Sequence, residues 1–516
     1  MRPQDSMKDR DSPYSGKVFQ RSAFFFLTGK IASSILTFLA FILVVRLLTV
    51  KDYGAYVTFI AAIELLIAIS SVGLYWVSAR YLPDYRIHAS GAQVSHLTYV
   101  LLFVQIISLA IILLLLWFVI DECLHWSDLI EYRNSALLLL IVLFIEGIGR
   151  FIREALLGSL LFQGVAQIGL VTRNFVFLAF LFGLLFYDVT HLNYVVWAEL
   201  LASIVGLVVS IFGLYFKLKG LSSNTNEIGW KEPSTSDFFR TGFHMYVSQM
   251  ITLTYSTQIM LLIVQKYLGV EMAALFGFLR NLYEQVSRFL PATLFFSIVR
   301  PKLVASFVGG GGVSTLTKNS NAAGKLSYFF LMPMILISGL SGEYLISHLS
   351  SGKFHDSGYL LLGFMMVLIP FSQRQLLEST AIAIGRSGLC AAASASGVFS
   401  FPLVIIFVFS GMGLWSAILA LGIGHILFNL IILYVLSRRD GFRADYVGLL
   451  KILGVTLVSY LSVLWLPSFE PEWLFYFLYC SVSISLFLFV SWLIKPFSRD
   501  ERERFNKFTK LRVFIW

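Results

Sequence analysis

The chain contains 516 residues, of which 58% are hydrophobic and only 13% are charged. A soluble protein carries about a quarter charged residues, so this chain lacks the polar residues needed to cover a water-facing surface, which excludes a soluble globular protein. The net charge is +10. In a membrane protein such a charge is explained by cations that are retained on the cytoplasmic side and attracted to anionic inner-leaflet lipid. A nucleic-acid partner is not needed to explain it.

The predicted elements are apolar runs close to the roughly 20 residues that a helix needs to cross the bilayer. Residues 1–21 are polar, and the run after them is too long for the apolar region of a signal peptide, so we interpret it as a retained first span. The sequence predicts an all-α polytopic membrane protein with about 14 transmembrane helices. In chain order, these lie at 22–49, 54–78, 95–120, 134–149, 164–187, 192–216, 241–265, 270–299, 326–349, 358–373, 388–410, 413–436, 447–467 and 471–495.

The distribution of Lys and Arg predicts the orientation of these helices, because cations are concentrated in the cytoplasmic loops of membrane proteins. With the N-terminus in the cytoplasm, most of the 39 Lys and Arg fall in cytoplasmic segments. Both the N- and C-termini are therefore predicted to be cytoplasmic. The cations in the predicted outer loops are Lys51, Arg133, Lys266 and Lys353, and those inside spans are Lys30, Arg46, Arg173, Arg280 and Arg288.

A faint internal repeat relates the two halves of the chain. The stretch RLLTVKDYGAYVTF at 46–59 has a counterpart in KYLGVEMAALFGF at 266–278, and shifts of about 220 residues keep one register across much of each half. Six helices per repeat is an even number, so both copies enter the membrane in the same orientation, as in transporters with parallel repeats. The aligned charged pairs are Arg46 with Lys266, Glu64 with Glu284, and Arg153 with Arg374.

The repeat predicts two parallel six-helix bundles followed by a C-terminal helix pair without a counterpart. Bundles of this kind can rock against each other and expose a site to each side of the membrane in turn. The predicted divisions are a cytoplasmic N-tail at 1–21, a first bundle at 22–216, a cytoplasmic linker at 217–240, a second bundle at 241–436, two additional transmembrane helices at 437–495 and a basic cytoplasmic C-tail at 496–516.

Three stretches carry a resemblance to a known family. They are the pattern R-L-L-x-x-x-D-Y-G-x-Y starting at Arg46, the segment ARYLPDYR at 79–86, and IREALLGSLLFQGVAQIGLVTRN at 152–174. In these, the chain resembles the polysaccharide/oligosaccharide flippase family of the multidrug, oligosaccharidyl-lipid and polysaccharide exporter superfamily. The resemblance implies twelve helices in two bundles, plus a C-terminal pair, around a cationic lumen.

The resemblance also implies a function. It is the translocation of an undecaprenyl-diphosphate-linked oligosaccharide from the cytoplasmic to the periplasmic leaflet of a bacterial inner membrane, for O-antigen, capsule or exopolysaccharide synthesis. Partners would then be the lipid-linked oligosaccharide, membrane lipids and a polysaccharide polymerase or glycosyltransferase. The cations of the lumen vary in position within the family, so they are predicted here from this sequence.

Charged residues inside spans are the candidate site, because each costs about 2.5–3.5 kcal/mol at a helix centre and normally faces a cavity or a partner. Arg280, Glu284 and Arg288 are spaced i, i+4 and i+8 and lie along one stripe of the eighth span. This stripe is either a self-neutralising ion string that holds the helix to a neighbour or part of a substrate pathway. We predict that Arg280 and Arg288, helped by Lys30 and Arg173, bind the lipid-linked diphosphate.

Three acidic residues inside spans are candidates for coupling or for balancing the charge of the lumen. Glu64 and Glu284 occupy equivalent positions of the repeat, which indicates either a paired structural role or coupling to protons or monovalent cations. Glu199 has no partner that the sequence reveals and is interpreted as a structural carboxylate or as part of the charge balance.

Several activities find no support in the sequence. No Gly-Lys pair completes a phosphate-binding loop, no histidines have metal-ligand spacing, and the three cysteines are scattered, so no cofactor, metal or disulfide is predicted. A membrane-embedded polymerase or ligase would need a large outer loop, whereas the longest lies at about 121–133, and we predict that the protein is not an enzyme. Two alternative functions are kept, a multidrug antiporter and a peptidoglycan lipid II flippase of the same superfamily. The sequence does not identify the energy source.

Overall fold

The computed structural model describes residues 16–221, 230, 232–293, 312–465 and 472–509. Within these ranges every secondary-structure element is helical, so the predicted all-α fold is confirmed. The helices are α1 (Gly16–Leu47), α2 (Val50–Ser70), α3 (Leu74–His88), α4 (Gly91–Trp126), α5 (Arg133–Arg150, continued by a π-helix at Phe151–Leu157), α6 (Gln163–Phe186), α7 (Leu192–Lys219), α8 (Thr235–Leu253), α9 (Thr257–Leu268), α10 (Val270–Phe289), α11 (Gly312–Ser350), α12 (Gly358–Ala383), α13 (Ser387–Gly397), α14 (Ser400–Phe409), α15 (Trp415–Arg439), α16 (Tyr446–Val463), α17 (Glu472–Ile494) and α18 (Arg499–Thr509).

Thirteen helical segments in the described part of the chain are long and apolar enough to cross a membrane. They coincide with thirteen of the predicted spans, with α8 and α9 together forming one segment and α13 and α14 together forming another. The remaining predicted span, 270–299, corresponds to α10, which is helical but carries four charged residues within 20. Its predicted end beyond residue 293 lies outside the described residues. The protein is a multi-pass membrane protein.

The predicted span 54–78 contains a break that the apolar pattern does not reveal. Between α2 and α3 the chain turns through Val72 and Gly73, whose φ angles are 43° and 79°. Gly73 also lies against Gly242, because an added Cβ would be 2.2 Å from the carbonyl oxygen of Gly242. Glycine is required here for both reasons, since only it adopts this φ without strain and leaves room for the neighbouring backbone.

The predicted span 134–149 is longer in the structure than in the prediction. Helix α5 does not end at Arg150 but continues without a break as the seven-residue π-helix Phe151–Leu157. π-Turns are rare and are often found at functional sites. The predicted end of the span at residue 149 therefore lies inside a continuous helix.

The described residues divide into two compact units. The first comprises Met1–Leu253 and Leu261–Gly277, and the second comprises Thr254–Met260 and Phe278–Trp516. The domain boundaries predicted from the repeat, and the parallel relation of the two bundles, stay predictions.

Each unit has an apolar core of its own. In the first, aromatic and aliphatic residues of α3, α4, the π-helix and α7 pack together, with Phe151 and Leu82 fully buried. In the second, α12, α13 and α15 contribute a smaller cluster around Phe428. Many other large apolar side chains point outward, such as Phe118 at 71% and Phe186 at 84% exposure, as expected of helix faces in contact with lipid.

Candidate functional site

Glu146 in α5 is the centre of a network of buried charges in the first unit. Its carboxylate accepts hydrogen bonds from Arg150 Nε at 3.0 Å, Arg153 Nη2 at 2.8 Å and Arg173 Nε at 3.0 Å. The side chains of Glu146 and Arg153 are 4% and 3% exposed. A buried ion survives only when it is paired and hydrogen-bonded, so the three guanidinium groups explain how an acid is kept inside this helix bundle.

Arg173 extends the network to two more helices. Its three nitrogens donate to Glu146, to Asn174 Oδ1 at 3.0 Å and to Glu199. The Asn174 amide in turn donates to Ser33 Oγ of α1 at 2.7 Å. Glu199, for which the sequence reveals no partner, pairs with Arg173, which lies on a different helix and 26 positions away in the sequence.

Glycines make the space that these long side chains need. A Cβ at Gly149 would lie 2.9 Å from Arg153 Nη1, and one at Gly206 would lie 2.7 Å from the Cβ of Arg173. Gly149 thus leaves room for the Arg153 side chain within its own helix, and Gly206 lets α7 approach α6 closely at Arg173. We refer to Glu146, Arg150, Arg153, Arg173 and Glu199 as the unit-1 charge network.

Arg150 is the cation of the unit-1 charge network that reaches the protein surface, since its side chain is 32% exposed whereas that of Arg153 is 3% exposed. Glu64 of α2 lies close enough to interact electrostatically with Arg150, which brings one of the predicted coupling acids to the edge of the network. Sequence reasoning missed Arg150 and Glu146 as site residues. The available signal is the i, i+4 spacing of Glu146 and Arg150, which lie at and just beyond the end of the predicted span 134–149.

Lys30, the remaining cation predicted for the lumen in this unit, lies on α1. Its Nζ is 5.5 Å from the centre of the Phe26 ring, one turn earlier in the same helix. A cation over an aromatic face is stabilised by the ring quadrupole. Ser33 and Thr37 of α1 contact the unit-1 charge network through Asn174.

The predicted stripe on α10 is present as two ion pairs in the second unit. Arg280 Nε is 2.8 Å from Glu284 Oε1, and Arg288 Nη2 is 3.6 Å from Glu284 Oε2. Thr257 of α9 accepts a hydrogen bond from Arg280 Nε at 3.1 Å. Exposure rises along the stripe, with 5% for Arg280, 20% for Glu284 and 41% for Arg288. Arg280 is thus buried and closely paired, whereas Arg288 is accessible and more loosely paired.

A further buried arginine in the second unit was aligned with Arg153 by the repeat but was not predicted as a site residue. Arg374 of α12 is 7% exposed and lies over two aromatic rings, 5.0 Å from the centre of Tyr255 and 4.4 Å from that of Phe428. Its Nη1 is 3.4 Å from His425 Nδ1. Cation–π contacts of this kind stabilise a desolvated guanidinium group.

The described residues contain no group of three or more His, Cys, Asp or Glu side chains arranged to hold a metal ion. The cysteines at 123, 390 and 480 are all free.

The fold is shared with a lipid II flippase and with transporters of the multidrug resistance MATE family. The lipid II flippase MurJ in an inward closed conformation has a TM-score of 0.67 at 15% identity, over 91% of this chain and 98% of its own. An inward-facing multidrug resistance MATE family transporter of the MOP superfamily has a TM-score of 0.61 at 14% identity, over 81% and 98%. The eukaryotic MATE transporter AtDTX14 has a TM-score of 0.58 at 14% identity, over 81% and 95%.

The chain is thus a helical multi-pass membrane protein that shares its fold with these flippase and MATE structures. Residues 19–299 match the family described as polysaccharide biosynthesis protein, and the chain belongs to this family. No curated protein matches the sequence significantly. The family predicted from the three sequence stretches is thereby confirmed.

Proposed function

We propose that the protein is a flippase that moves an undecaprenyl-diphosphate-linked oligosaccharide from the cytoplasmic to the periplasmic leaflet of a bacterial inner membrane. The observation that carries this proposal is membership of the polysaccharide biosynthesis protein family. The fold supports it, since a lipid II flippase aligns with 91% of the chain. The glycan would belong to a cell-surface polysaccharide such as O-antigen, capsule or exopolysaccharide.

The chemistry of this cargo requires cations inside the membrane. A diphosphate carries up to two negative charges, and transferring it through hydrocarbon without compensation is prohibitive. Guanidinium groups replace the lost hydration and bind phosphate oxygens with two parallel hydrogen bonds. We propose Arg288 as the first phosphate contact on α10, because its side chain is 41% exposed and its pair with Glu284 is loose at 3.6 Å.

Arg280 is the second proposed phosphate ligand on this helix. Its close pair with Glu284 must loosen for phosphate to bind, and Glu284 then competes with the cargo and favours its release. Lys30 and Arg173 are retained as the cations of the first unit, with Arg173 held in place by Glu146 and Glu199. That all four act on one headgroup in a single lumen stays a prediction.

The experiment compares variants of α10 in a host strain that lacks its own copy of the gene. Surface glycan and the amount of protein in the membrane are measured together. Arg288→Ala is expected to reduce export at least about 10-fold at normal abundance, which corresponds to the roughly 1.5–3 kcal/mol of a charge-assisted hydrogen bond. Arg439→Ala, an exposed cation at the end of α15, is the matched control and is expected to export normally.

The role of Arg280 is separated from a purely structural one by a second set of variants. Arg280→Ala leaves Glu284 without its closer partner and is expected to lower both export and abundance. The double variant Arg280→Ala/Glu284→Gln removes the stranded charge. If Arg280 binds cargo, the double variant recovers abundance without export. Recovery of both would show that Arg280 only holds the helix in place and would contradict the proposal for this residue.

Two other cargoes follow from the structural comparisons and are outcomes of the same experiment. If loss of the protein stops peptidoglycan synthesis while surface glycan precursors are still exported, the cargo is lipid II. If it leaves both glycans unchanged but increases sensitivity to cationic drugs, the protein is a multidrug transporter. The proposed flippase predicts accumulation of lipid-linked oligosaccharide in the cytoplasmic leaflet with drug sensitivity unchanged.

A further inference from the structure

A cavity of about 700 Å³ lies in the first unit, and no member of the unit-1 charge network is among its lining residues. Its walls are the first turns of α1, the residues that lead into α6, the first turns of α6, and Lys217 at the end of α7. Helices α1 and α6 begin here and α7 ends here, so the cavity opens at one membrane face, which the charge distribution predicts to be cytoplasmic. Its volume is within the range of pockets that bind small ligands.

The charge of this cavity is positive. Arg21 and Lys217 are among its lining residues, and none of the lining residues in the described part of the chain is acidic. Both side chains border aromatic rings that also line it: the Arg21 guanidinium lies 5.7 Å from the centre of Phe25, and Lys217 Nζ lies 5.7 Å from that of Phe162. Two exposed residues thus bring cations to the mouth of a cavity with aromatic walls.

The interior adds donors that do not depend on side-chain charge. Helix α6 starts at the cavity, and its N-cap residue Phe162 provides no side-chain hydrogen bond to the first turn. The positive end of the helix dipole favours an anion at this position. Gly164 in this first turn lines the cavity, and an added Cβ there would lie 3.7 Å from the ring of Phe25, which lines it too.

The polar side chain of Gln167 lies where the cavity wall meets the contact between α6 and α1. Its Oε1 atom is buried, has no hydrogen-bond partner and lies against Gly29 of α1. This oxygen is therefore enclosed in the contact of the two helices and does not face the cavity. Gln167 is fixed in place by the contact of α1 with α6, since a Cβ at Gly29 would lie 2.4 Å from Gln167 Cβ.

Apolar surface adjoins the cavity on the two helices that form it. On α1, Phe24 is 62% and Ile31 is 49% exposed, and on α6, Ile168 is 60% and Phe175 is 60% exposed. In a membrane-spanning helix such residues contact acyl chains. A ligand with a phosphate and a hydrocarbon chain would pair its phosphate with the cations of the cavity and pack its chain on the apolar face of α1 or α6.

We propose that this cavity is a binding site for the phosphate headgroup of a membrane lipid. Arg21 and Lys217 attract the phosphate, the first turn of α6 donates hydrogen bonds to it, and the lipid chain leaves along the exposed faces of α1 and α6. The site does not include the α10 stripe or the side chains of Lys30 and Arg173, to which cargo binding is assigned, although Gly29 and Thr172 in its wall are their neighbours in the chain. Two lipids share this chemistry, an anionic phospholipid and a polyprenyl diphosphate.

The test measures lipid binding to the purified full-length protein in detergent by native mass spectrometry. The probes are phosphatidylglycerol, phosphatidylcholine, a short-chain polyprenyl diphosphate and inorganic pyrophosphate. The wild-type protein is expected to bind the anionic lipids in preference to phosphatidylcholine. Arg21→Ala/Lys217→Ala is expected to weaken this binding at least about 10-fold, since each cation near a lipid surface contributes roughly 1 kcal/mol. Lys219→Ala, outside the cavity, is the matched control and keeps wild-type affinity.

A cavity-filling variant tests whether the ligand lies inside. Gly164→Leu leaves both cations in place and is expected to abolish binding, while its melting temperature without lipid shows whether it is folded. Binding of inorganic pyrophosphate as tight as that of either lipid would overturn the lipid assignment, and so would equal binding of phosphatidylcholine. Wild-type affinity in a folded Gly164→Leu variant would overturn the cavity. Preference for polyprenyl diphosphate over phosphatidylglycerol would support the proposal and identify the lipid as a carrier lipid.

Discussion

Glu146 accepts hydrogen bonds from three arginines although only 3% of its surface is exposed. A buried pair of this kind contributes little net stability compared with an apolar pair of the same shape, but removing one member leaves an uncompensated charge. The unit-1 charge network therefore stabilises one particular arrangement of α1, α5, α6 and α7. Glu146 contributes most to the stability of this network, because it is hydrogen-bonded to three cations.

Replacement of Glu146 by Gln is expected to destabilise the protein by about 3–5 kcal/mol, the range found when a buried ion pair is broken. Thermal unfolding in detergent and the amount of protein in the membrane measure the effect. Glu154→Gln is the matched control, since Glu154 is exposed and lies on the π-helix that continues α5. An equal loss in both variants would show that burial of Glu146 is not the cause.

The carboxylates predicted for coupling differ in their surroundings. Glu284 is 20% exposed and pairs with Arg280 and Arg288, whereas Glu64 lies near Arg150. If Glu284 carries a coupling proton or cation, Glu284→Gln abolishes the dependence of export on the ion gradient. Export is compared with and without an ionophore that collapses the gradient. Export by the variant that still falls when the ionophore is added would assign Glu284 to charge balance alone.

At the scale of elements, the C-terminal helix α18 is attached to α11 and to the start of α16 by one buried lysine. Lys325 is 3% exposed, and its Nζ lies 2.6 Å from Glu501 Oε2 and 2.7 Å from Asp445 Oδ2. Phe497, just before α18, is 1% exposed and packs against Phe329 at 5.5 Å. A short polar helix thereby becomes part of the second unit.

Removal of the Lys325 contact is expected to release α18. Glu501→Gln should increase proteolytic cleavage and hydrogen exchange within Arg499–Thr509, because an ion pair with a buried ammonium group is lost. Glu503→Gln on the same helix is the control, since its pair with Arg499 is 66% and 86% exposed and exposed pairs contribute little. Equal protection in both variants would show that Phe497, not Lys325, holds the helix.

The same contact predicts a dependence on pH. Burial alone would raise the pKa of Asp445, but hydrogen bonds from Lys325 and from the Gly448 N–H outweigh it, and the pKa lies below its ordinary value of 3.8. An acid with a lowered pKa stabilises the fold above its unfolded-state pKa, and this contribution is lost as the pH falls through the folded-state pKa. Protection of α18 is thus expected to fall below about pH 4. Asp445→Asn should flatten this response, and an unchanged acid response would contradict it.

The turn between α2 and α3 shows how a single glycine determines where an element ends. Gly73→Ala places a Cβ 2.2 Å from a backbone oxygen at a φ of 79°, and we expect it to destabilise the first unit by roughly 1–3 kcal/mol. Gly183→Ala in α6, where an added Cβ meets nothing within 4 Å, is the control. The melting temperatures of the two variants are compared, and equal values would contradict a close approach of the backbones.

At the scale of the whole molecule, the number of crossings determines on which side each loop lies. Thirteen segments and α10 account for the fourteen predicted spans, and the positive-inside rule then places the loop after α4 outside and the end of α15 inside. A reporter that is active only outside the cytoplasm is expected to work when fused at Asp128 and to fail at Arg439. Activity at Arg439 would show that the number of crossings before it is odd and would remove the basis for two parallel bundles.

The sequence alone was sufficient for the class of protein and the family, because both depend on properties that are local in the chain. Apolar runs of membrane-spanning length need no tertiary context, since the bilayer satisfies their outer faces and the helix satisfies its own backbone. The stripe of Arg280, Glu284 and Arg288 was predictable for the same reason, because neighbours at i, i+4 are set by helix geometry.

Only the tertiary structure revealed which charges meet across helices. Arg173 finds Glu146 and Glu199 at sequence separations of 27 and 26 residues, and no periodicity within one span records such a contact. The same holds for the cavity of about 700 Å³, which forms where α1, α6 and α7 converge. Depth in the membrane can be estimated from a count of residues, but pairing and exposure depend on how helices pack. Close contacts between helices, such as that of Gly206 with Arg173, decide this packing.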